Sequence, residues 1–362
     1  MEKWGTKKMF YIGVDLGTSA VKLLLMDEKG NILNVVSKEY PLYFPNPGWS
    51  EQPPEAWYEK SVEGIKELIA GVDASKVAGI SFGGQMHGLV ILDENDEVIR
   101  PAILWNDGRT IEENDYLNNV IGKDKLSSYT ANISFTGFTA AKILWVKNKE
   151  PENFARIKKI MLPKDYLAYK LTGVNCTDYS DASGMLLLDV KNKRWSKEMI
   201  EICGIKEEML PKLYESYEKV GTLKPEVAAA LGLSENVIVA AGAGDNAAAA
   251  VGTGTVGDGS CNISLGTSGT IFISSDKFGV DEHNALHSFD HADVDRPGHD
   301  AADELRHGLF ADFIGLLLHR HGDTVGLRFH DLTVFLALFG AHFRNEGIDA
   351  RHRGGHAHPS AE

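Results

Sequence analysis

Short apolar runs separated by polar and turn residues fill the first forty residues. Residues 9–14 and 21–26 read as two strands joined across a Gly-Thr-Ser turn, and "GNILNVVSKEYPL" continues as a third. The pattern then changes. "PPEAWYEKSVEGIKELIAGV" opens on prolines and carries Trp57, Val62, Ile65 and Leu68 at helical spacing, which predicts a helix. "VAGISFGGQMHGLVILD" predicts a strand, a glycine-rich break and another strand. "DYLNNVIGKDKL", "AAKILWVKNKEPENFARI" and "SKEMIEICGI" read as helices, and "VIVAAGAGDNAAAAVGTG" as a buried strand running into a helix of small residues. Strands and helices alternate over the first 280 residues, with hairpins among them. The expectation is an α/β fold that is not a simple Rossmann βαβ series.

Composition narrows the function classes. In 362 residues, 51 acidic against 37 basic side chains leave a net charge of −14, which argues against nucleic acid or an anionic membrane as the main partner. Cys176, Cys203 and Cys261 are scattered, odd in number and in no CxxC pair, so a reduced, cytoplasmic protein without a disulfide framework or zinc site is expected. The opening "MEKWGTKK" is charged and does not read as a signal peptide. Composition changes near residue 293. Before it stand 26 lysines and 4 arginines; from Val294 onward there are 7 arginines and no lysine, and 12 of the 13 histidines fall after residue 282. The tail has weak caps, no clear motif and no HExxH, so it reads as a frameshift or splice rather than a metal-binding segment.

Three places carry candidate chemistry. The phrase Leu-Gly-Thr-Ser occurs at Leu16–Ser19 and again at Leu265–Ser268, each time between apolar runs. Glycine in such a turn lets the backbone approach an anion, and the following amides and hydroxyls donate to phosphate oxygens. Asp15 and Lys22 flank the first copy, a carboxylate suited to Mg²⁺ and an ammonium suited to a phosphoryl group. Asp245 follows an apolar strand inside "AGAGDNAAAA", where it reads either as an N-cap or as a general base, and the two roles are compatible. His87, in "GGQMHGL", reads either as an ordinary turn histidine or, with Met86, as a polyol contact.

These segments, with "YIGVDLGTSAVK", "GQMHGLVILD", "RPAILWNDGRT", "GFTAAKILWVKNKEP", "MLPKDYLAYKLTG", "DYSDASGMLLLDV", "GAGDNAAAAVG", "SLGTSGTIF" and "HNALHSF" in order, resemble the FGGY-type carbohydrate kinases over about residues 9–292. The similarity is strongest to the xylulose-phosphorylating members. It implies an actin-like fold of two related ribonuclease-H-like domains with ATP in the cleft between them, and a second domain truncated here. Residues 1–8 are then an extension, 9–236 the N-terminal domain, 237–293 the start of the nucleotide-binding domain, and 294–362 an unrelated Arg/His-rich tail without a GGGA-type loop.

The resemblance further implies phosphorylation of D-xylulose by ATP with Mg²⁺, Asp245 acting as base. Met86 and His87 contact the sugar, with Trp105, Asn106 and Asn246 nearby. Gly17, Thr18, Ser19 and Lys22 form one phosphate loop, Gly266, Thr267 and Ser268 the other, and Asp15 attends the metal. The expected partners are sugar and ATP, with a homodimer as the assembly. Ala141 and Asp290 stand where the family usually has proline and cysteine. Two further readings stay open: a kinase for ribulose, gluconate or glycerol, and a non-catalytic sugar-binding remnant.

Overall fold

The computed structural model describes residues 9–265, 269–281 and 286–292, together with the backbone of 307–313. The first strands are β1 (Phe10–Leu16), β2 (Ala20–Asp27) and β3 (Ile32–Glu39). Period-two alternation sends Phe10, Ile12, Val14 and Leu16 to one face of the sheet, where they join the main core with Val21, Leu23 and Leu25. Tyr11, Leu24 and Met26 pack together in a separate small cluster.

Helix α1 (Pro54–Leu68) buries Trp57, Ser61, Ile65 and Leu68, one helical face, against that core. Strand β4 (Val77–Gly84) pairs in parallel with β1. Four further short strands matter here: β5 (Lys219–Thr222), β6 (Ile238–Ala240), β7 (Ala243–Gly244) and, later in the chain, β8 (Cys261–Leu265). The main sheet runs β5-β6-β4-β1-β2-β3, and β7 also pairs with β4. β6 and β7 run parallel to β4, whereas the β1–β2–β3 and β5–β6 pairs are antiparallel. This is the expected mixed α/β arrangement with hairpins. Strands β6 and β7, read from the sequence as the head of a second domain, pair with β4 in the first sheet.

A second core gathers around helix α2 (Thr139–Lys149), whose residues 139–146 are all buried, and takes in Met86, Phe138, Met185 and Leu187. Helix α3 (Pro163–Thr172) packs on the first core through Tyr166, Leu167 and Leu171. The stretch read as one helix at 115–126 contains a π-helical segment, Tyr116–Gly122, between two α-helical pieces. The small-residue helix is α4 (Asp245–Gly252).

A separate four-stranded antiparallel sheet is ordered β8-β9-β11-β10, with β9 (Gly269–Ser275), β10 (His287–Asp290) and β11 (His307–Phe313). The sequence offered no motif for β11, because a strand held by backbone pairing needs none. Asn132 joins β10 to the second core: its Nδ2 donates to Ser288 O and its Oδ1 accepts from Ser288 N, both 2.8 Å. No helix among the described residues is long and apolar enough to cross a membrane.

Candidate active site

Three parallel strands bring the candidate residues to one edge. In the sheet register Asp15 lies beside Gly83 and Gly83 beside Ala243, while Leu16 lies beside Gly84 and Gly84 beside Gly244. Beyond that edge β1 continues into Gly17-Thr18-Ser19, β4 into Gln85-Met86-His87, and β7 into Asp245-Asn246. With neighbouring strands about 4.8 Å apart, Asp15 and the start of α4 are separated by roughly 10 Å across the sheet. Carboxyl ends of parallel strands are where open α/β sheets place ligands.

The first turn is held from several sides. Gly17 N donates to Ala20 O (3.1 Å), and Gly17 O accepts from the Tyr40 hydroxyl and from Gln85 Nε2 (3.3 Å). Thr18 O accepts from Gln52 Nε2 (2.6 Å), and Ser19 O accepts from Tyr40 N (3.2 Å). Asp15 and Lys22 face each other across the β1–β2 ladder, both half-buried, and Ser19 is exposed.

Trp105 Nε1 donates to Thr18 Oγ1 (2.9 Å), so this sugar-side candidate touches the phosphate turn directly. Its loop is anchored underneath. Asp107 is buried, accepts from Ser50 N (2.6 Å) and pairs with Arg109 (2.7 Å), which also reaches Glu51 (2.7 Å) and lies 3.8 Å over the Trp49 ring. Trp105 and Asn106 are left exposed at the tip.

At the third strand, Asp245 is the first residue of α4, and Gly244 holds the N-cap position without a side-chain cap bond. The cap reading is therefore corrected. A carboxylate at this position lies beside the helix's free N–H groups, and Asp245 Oδ1 accepts from Asn246 N (2.7 Å) and Asn246 Nδ2 (3.0 Å). Met86 lies against Gly244 so closely that a Cβ there would come within 3.0 Å of its side chain, and its Sδ is 3.7 Å from Asn246 Nδ2. Thr270 Oγ1, from β9, donates to Asn246 Oδ1 (3.3 Å) and links the second hairpin to this residue. Gly266, Thr267 and Ser268, the turn of that hairpin, lie outside the described residues.

His87 is buried, with a left-handed backbone (φ 66°). Its ring stacks on Phe138 at 4.7 Å, and Nδ1 is 2.7 Å from Gly184 O. Burial pulls its pKa down to about 3, so the imidazole is neutral at neutral pH. Gly184 is required by this approach, since a Cβ there would lie 2.5 Å from the ring.

Sequence reading missed a buried charge cluster behind the base. Lys164 Nζ lies 2.7 Å from Asp165, 2.9 Å from Asp178 and 3.6 Å from Asp181, and all four side chains are inaccessible or nearly so. Burial pulls the Lys164 ammonium down, but the three carboxylates outweigh it and hold it well above its ordinary value. Burial pushes Asp181 well up, with Asp165, Asp178 and Asp245 adding to the rise. Ser180 Oγ donates to Asp178 Oδ2 (2.5 Å) and accepts from Gly244 N (3.1 Å), tying the cluster to the start of α4.

The N-terminal domain of the FGGY family of carbohydrate kinases matches residues 10–252. The xylulose kinase of Escherichia coli K12 is 44% identical over 282 residues, covering 78% of this chain and 58% of that protein. Among solved structures, a xyloylose kinase from Brucella ovis aligns with a TM-score of 0.78 and 41% identity, covering 84% of this chain and 60% of that one. A gluconate kinase from Lactobacillus acidophilus gives the same TM-score at 28% identity, with the same two coverages. The chain spans about three-fifths of the length of these relatives. An α/β sheet gathering these motifs at one edge, matched over two-thirds of its residues, belongs to the FGGY family of carbohydrate kinases.

Proposed function

We propose that this chain carries the sugar site and the catalytic base of a kinase that transfers the γ-phosphoryl group of ATP to D-xylulose, giving D-xylulose 5-phosphate. The observation that carries the reading is the convergence of Asp15 with its Gly-Thr-Ser turn, Met86 with His87, and Asp245 with Asn246 on one sheet edge. The 44% identity to a xylulose kinase favours xylulose among sugars. The equal fold likeness of a gluconate kinase gives no such preference.

In this reading Asp245, half-buried and near the edge, accepts the proton of the sugar hydroxyl as its oxygen bonds to phosphorus and the bond to ADP breaks. The Asn246 donors aim its carboxylate. Met86 packs against the carbon skeleton, His87 and Asn246 bind hydroxyls, and Trp105 and Asn106 border the same space. Gly17, Thr18, Ser19 and Lys22 grip phosphate from one side, with Gly266, Thr267 and Ser268 assigned to the other.

Mg²⁺ is bound by one or two carboxylates together with phosphate oxygens and water, so the single half-buried Asp15 beside a phosphate turn suits it. The metal would neutralise phosphate charge. The strand pairing favours a first domain that extends through α4, with the second beginning after residue 252.

A second reading is a sugar-binding protein without turnover. Calorimetry with xylulose, ribulose, gluconate and glycerol, paired with a coupled ADP assay, separates the two. The expected result is tightest binding of xylulose, with turnover that falls roughly 10²–10⁴-fold in Asp245→Asn while affinity stays within a few-fold. Binding without turnover assigns the second reading. Absence of any preference for xylulose defeats the substrate assignment.

A further inference from the structure

Lys142 lies in α2 between residues that are all buried and apolar on both sides, Ala140, Ala141, Ile143 and Leu144. Its side chain is itself fully buried, yet no carboxylate is within ion-pairing distance among the described residues. Its ammonium instead donates to two backbone carbonyls, His87 O at 2.8 Å and Gly137 O at 2.6 Å. Burying a lysine against carbonyls is costly, and burial pulls this one down to about 7, with the Asp107 charge opposing the fall and Arg109 adding to it. A leucine or methionine would satisfy the packing of this helix without that cost. The ammonium is explained by what it holds.

What it holds is His87. A left-handed backbone at a residue with a Cβ costs on the order of 1–2 kcal/mol and persists only when its surroundings fix it. Here the His87 carbonyl accepts from Lys142 Nζ and also from Thr139 Oγ1 (3.0 Å). With the backbone turned this way, Phe138 and Gly184 clamp the ring. Gly184 O can only accept, so Nδ1 must carry the hydrogen of the 2.7 Å contact. In a neutral imidazole Nε2 then has a lone pair and no proton.

We infer that Lys142 is a positioning residue that holds the His87 backbone so that its ring keeps the Nδ1–H bond to Gly184 O and presents Nε2 to accept a hydrogen bond from a hydroxyl of the bound sugar. This rests on the reading of His87 as a sugar contact. A hydroxyl that donates to Nε2 is distinguished from a carbonyl or ether oxygen, which cannot, so the pair would select for a polyol face at this position.

The test uses the full chain labelled with ¹⁵N-histidine, the His87 ring signals being assigned by their loss in His87→Ala. Long-range ¹H–¹⁵N spectra should report the Nδ1–H tautomer, the less common form in free imidazole. In Lys142→Met the ring should lose that single tautomer, and D-xylulose affinity by calorimetry should weaken roughly tenfold or more. Thr139→Val should shift both in the same direction by less, and it serves in place of Lys142→Met if circular dichroism shows that variant unfolded. An Nε2–H ring in the wild type overturns the inference. So does a folded Lys142→Met variant with unchanged tautomer and affinity within twofold, provided His87→Ala weakens binding. If His87→Ala leaves xylulose affinity unchanged, the sugar role of His87 fails and the stated function of Lys142 fails with it. The tautomer spectra then show separately whether Lys142 orients the ring.

Discussion

Replacing His87 by glutamine should flatten the chain's stability between pH 7 and pH 5. His87 is enclosed by Phe138, Phe289 and Gly184, and burial lowers its pKa from 6.5 to about 3. Because the folded value lies below the unfolded one, the unfolded chain binds more protons throughout that window. Stability is therefore fully present above pH 6.5 and is lost as the pH falls toward 3. Each pH unit inside the window withdraws about 1.4 kcal/mol, so His87 alone accounts for about 2 kcal/mol by pH 5 and about 5 kcal/mol over the whole range. Glutamine does not titrate, and its amide can still donate to Gly184 O. Urea unfolding of both proteins at pH 7 and pH 5 isolates most of the effect, since Lys142 (about 7), His287 (about 4) and Asp290 (about 7) titrate in both, the charges of Lys142 and His287 adding only smaller contributions to the His87 shift. Wild type should lose about 2 kcal/mol more than the variant. Equal losses, within about 0.5 kcal/mol, would refute the buried neutral ring, and so would a directly titrated His87 pKa above 5.5.

On the alkaline side, Lys142 is drawn from 10.5 to about 7, so the unfolded chain binds the extra proton between those values and stability should rise with pH, by up to about 1.4 kcal/mol per unit. Lys142→Met should abolish that rise in unfolding curves taken at pH 7.5 and 9. Gly184→Ala puts a Cβ 2.5 Å from the His87 ring and should weaken xylulose binding roughly tenfold in calorimetry, with secondary structure unchanged. Lys164→Met strands buried Asp165, Asp178 and Asp181 and should cost about 3–5 kcal/mol in denaturant unfolding.

Helix α1 was legible because it obeys the helical period and buries the face that period defines, and β1, β2 and the strand-to-helix passage at 238–252 because short apolar runs are bounded there by turn or small residues. Asp15, Met86, His87 and Asp245 were legible as chemistry because each interrupts an apolar strand end. What joins them was not. The parallel β1–β4–β7 pairing crosses more than 200 residues of chain, and no local pattern encodes it. Lys142 and Lys164 were passed over for a related reason. A lysine in a helix reads as a solvated charge, and only the tertiary fold brings His87 O to one and three carboxylates to the other. The available signal was that Lys142 stands inside the apolar run "TAAKILWV", where a solvated face should show more than one polar position. The π segment at 116–122 and strand β11 had no sequence signal of comparable strength.

The supports of the edge divide by side. Those on the sugar side lie within the first sheet and the second core: Gly184 and Phe138 for His87, Gly244 for Met86, and the Asp178–Ser180 pair for the start of α4. These fall between residues 86 and 246, and Phe289 of β10 adds a ring against His87 from the second sheet. The second hairpin reaches Asn246, a residue already held by Asp245 and Met86, through Thr270 at 3.3 Å, and reaches the far end of α4 through Asn262 Nδ2, which donates to Thr253 Oγ1 (2.8 Å). Sugar recognition and phosphate grip are therefore supported mainly by different elements, joined at Trp105–Thr18 and at His87–Phe289. A change in the β8–β9 hairpin such as Thr270→Val should leave xylulose affinity within about twofold, because Asn246 keeps its other partners. Loss of the Ser180 hydroxyl has less reserve: Asp178 Oδ2 keeps Ser180 N and Ser216 Oγ, but Gly244 N, next to the base, loses its Ser180 acceptor, so Ser180→Ala should lower turnover in a coupled ADP assay more than it lowers xylulose affinity.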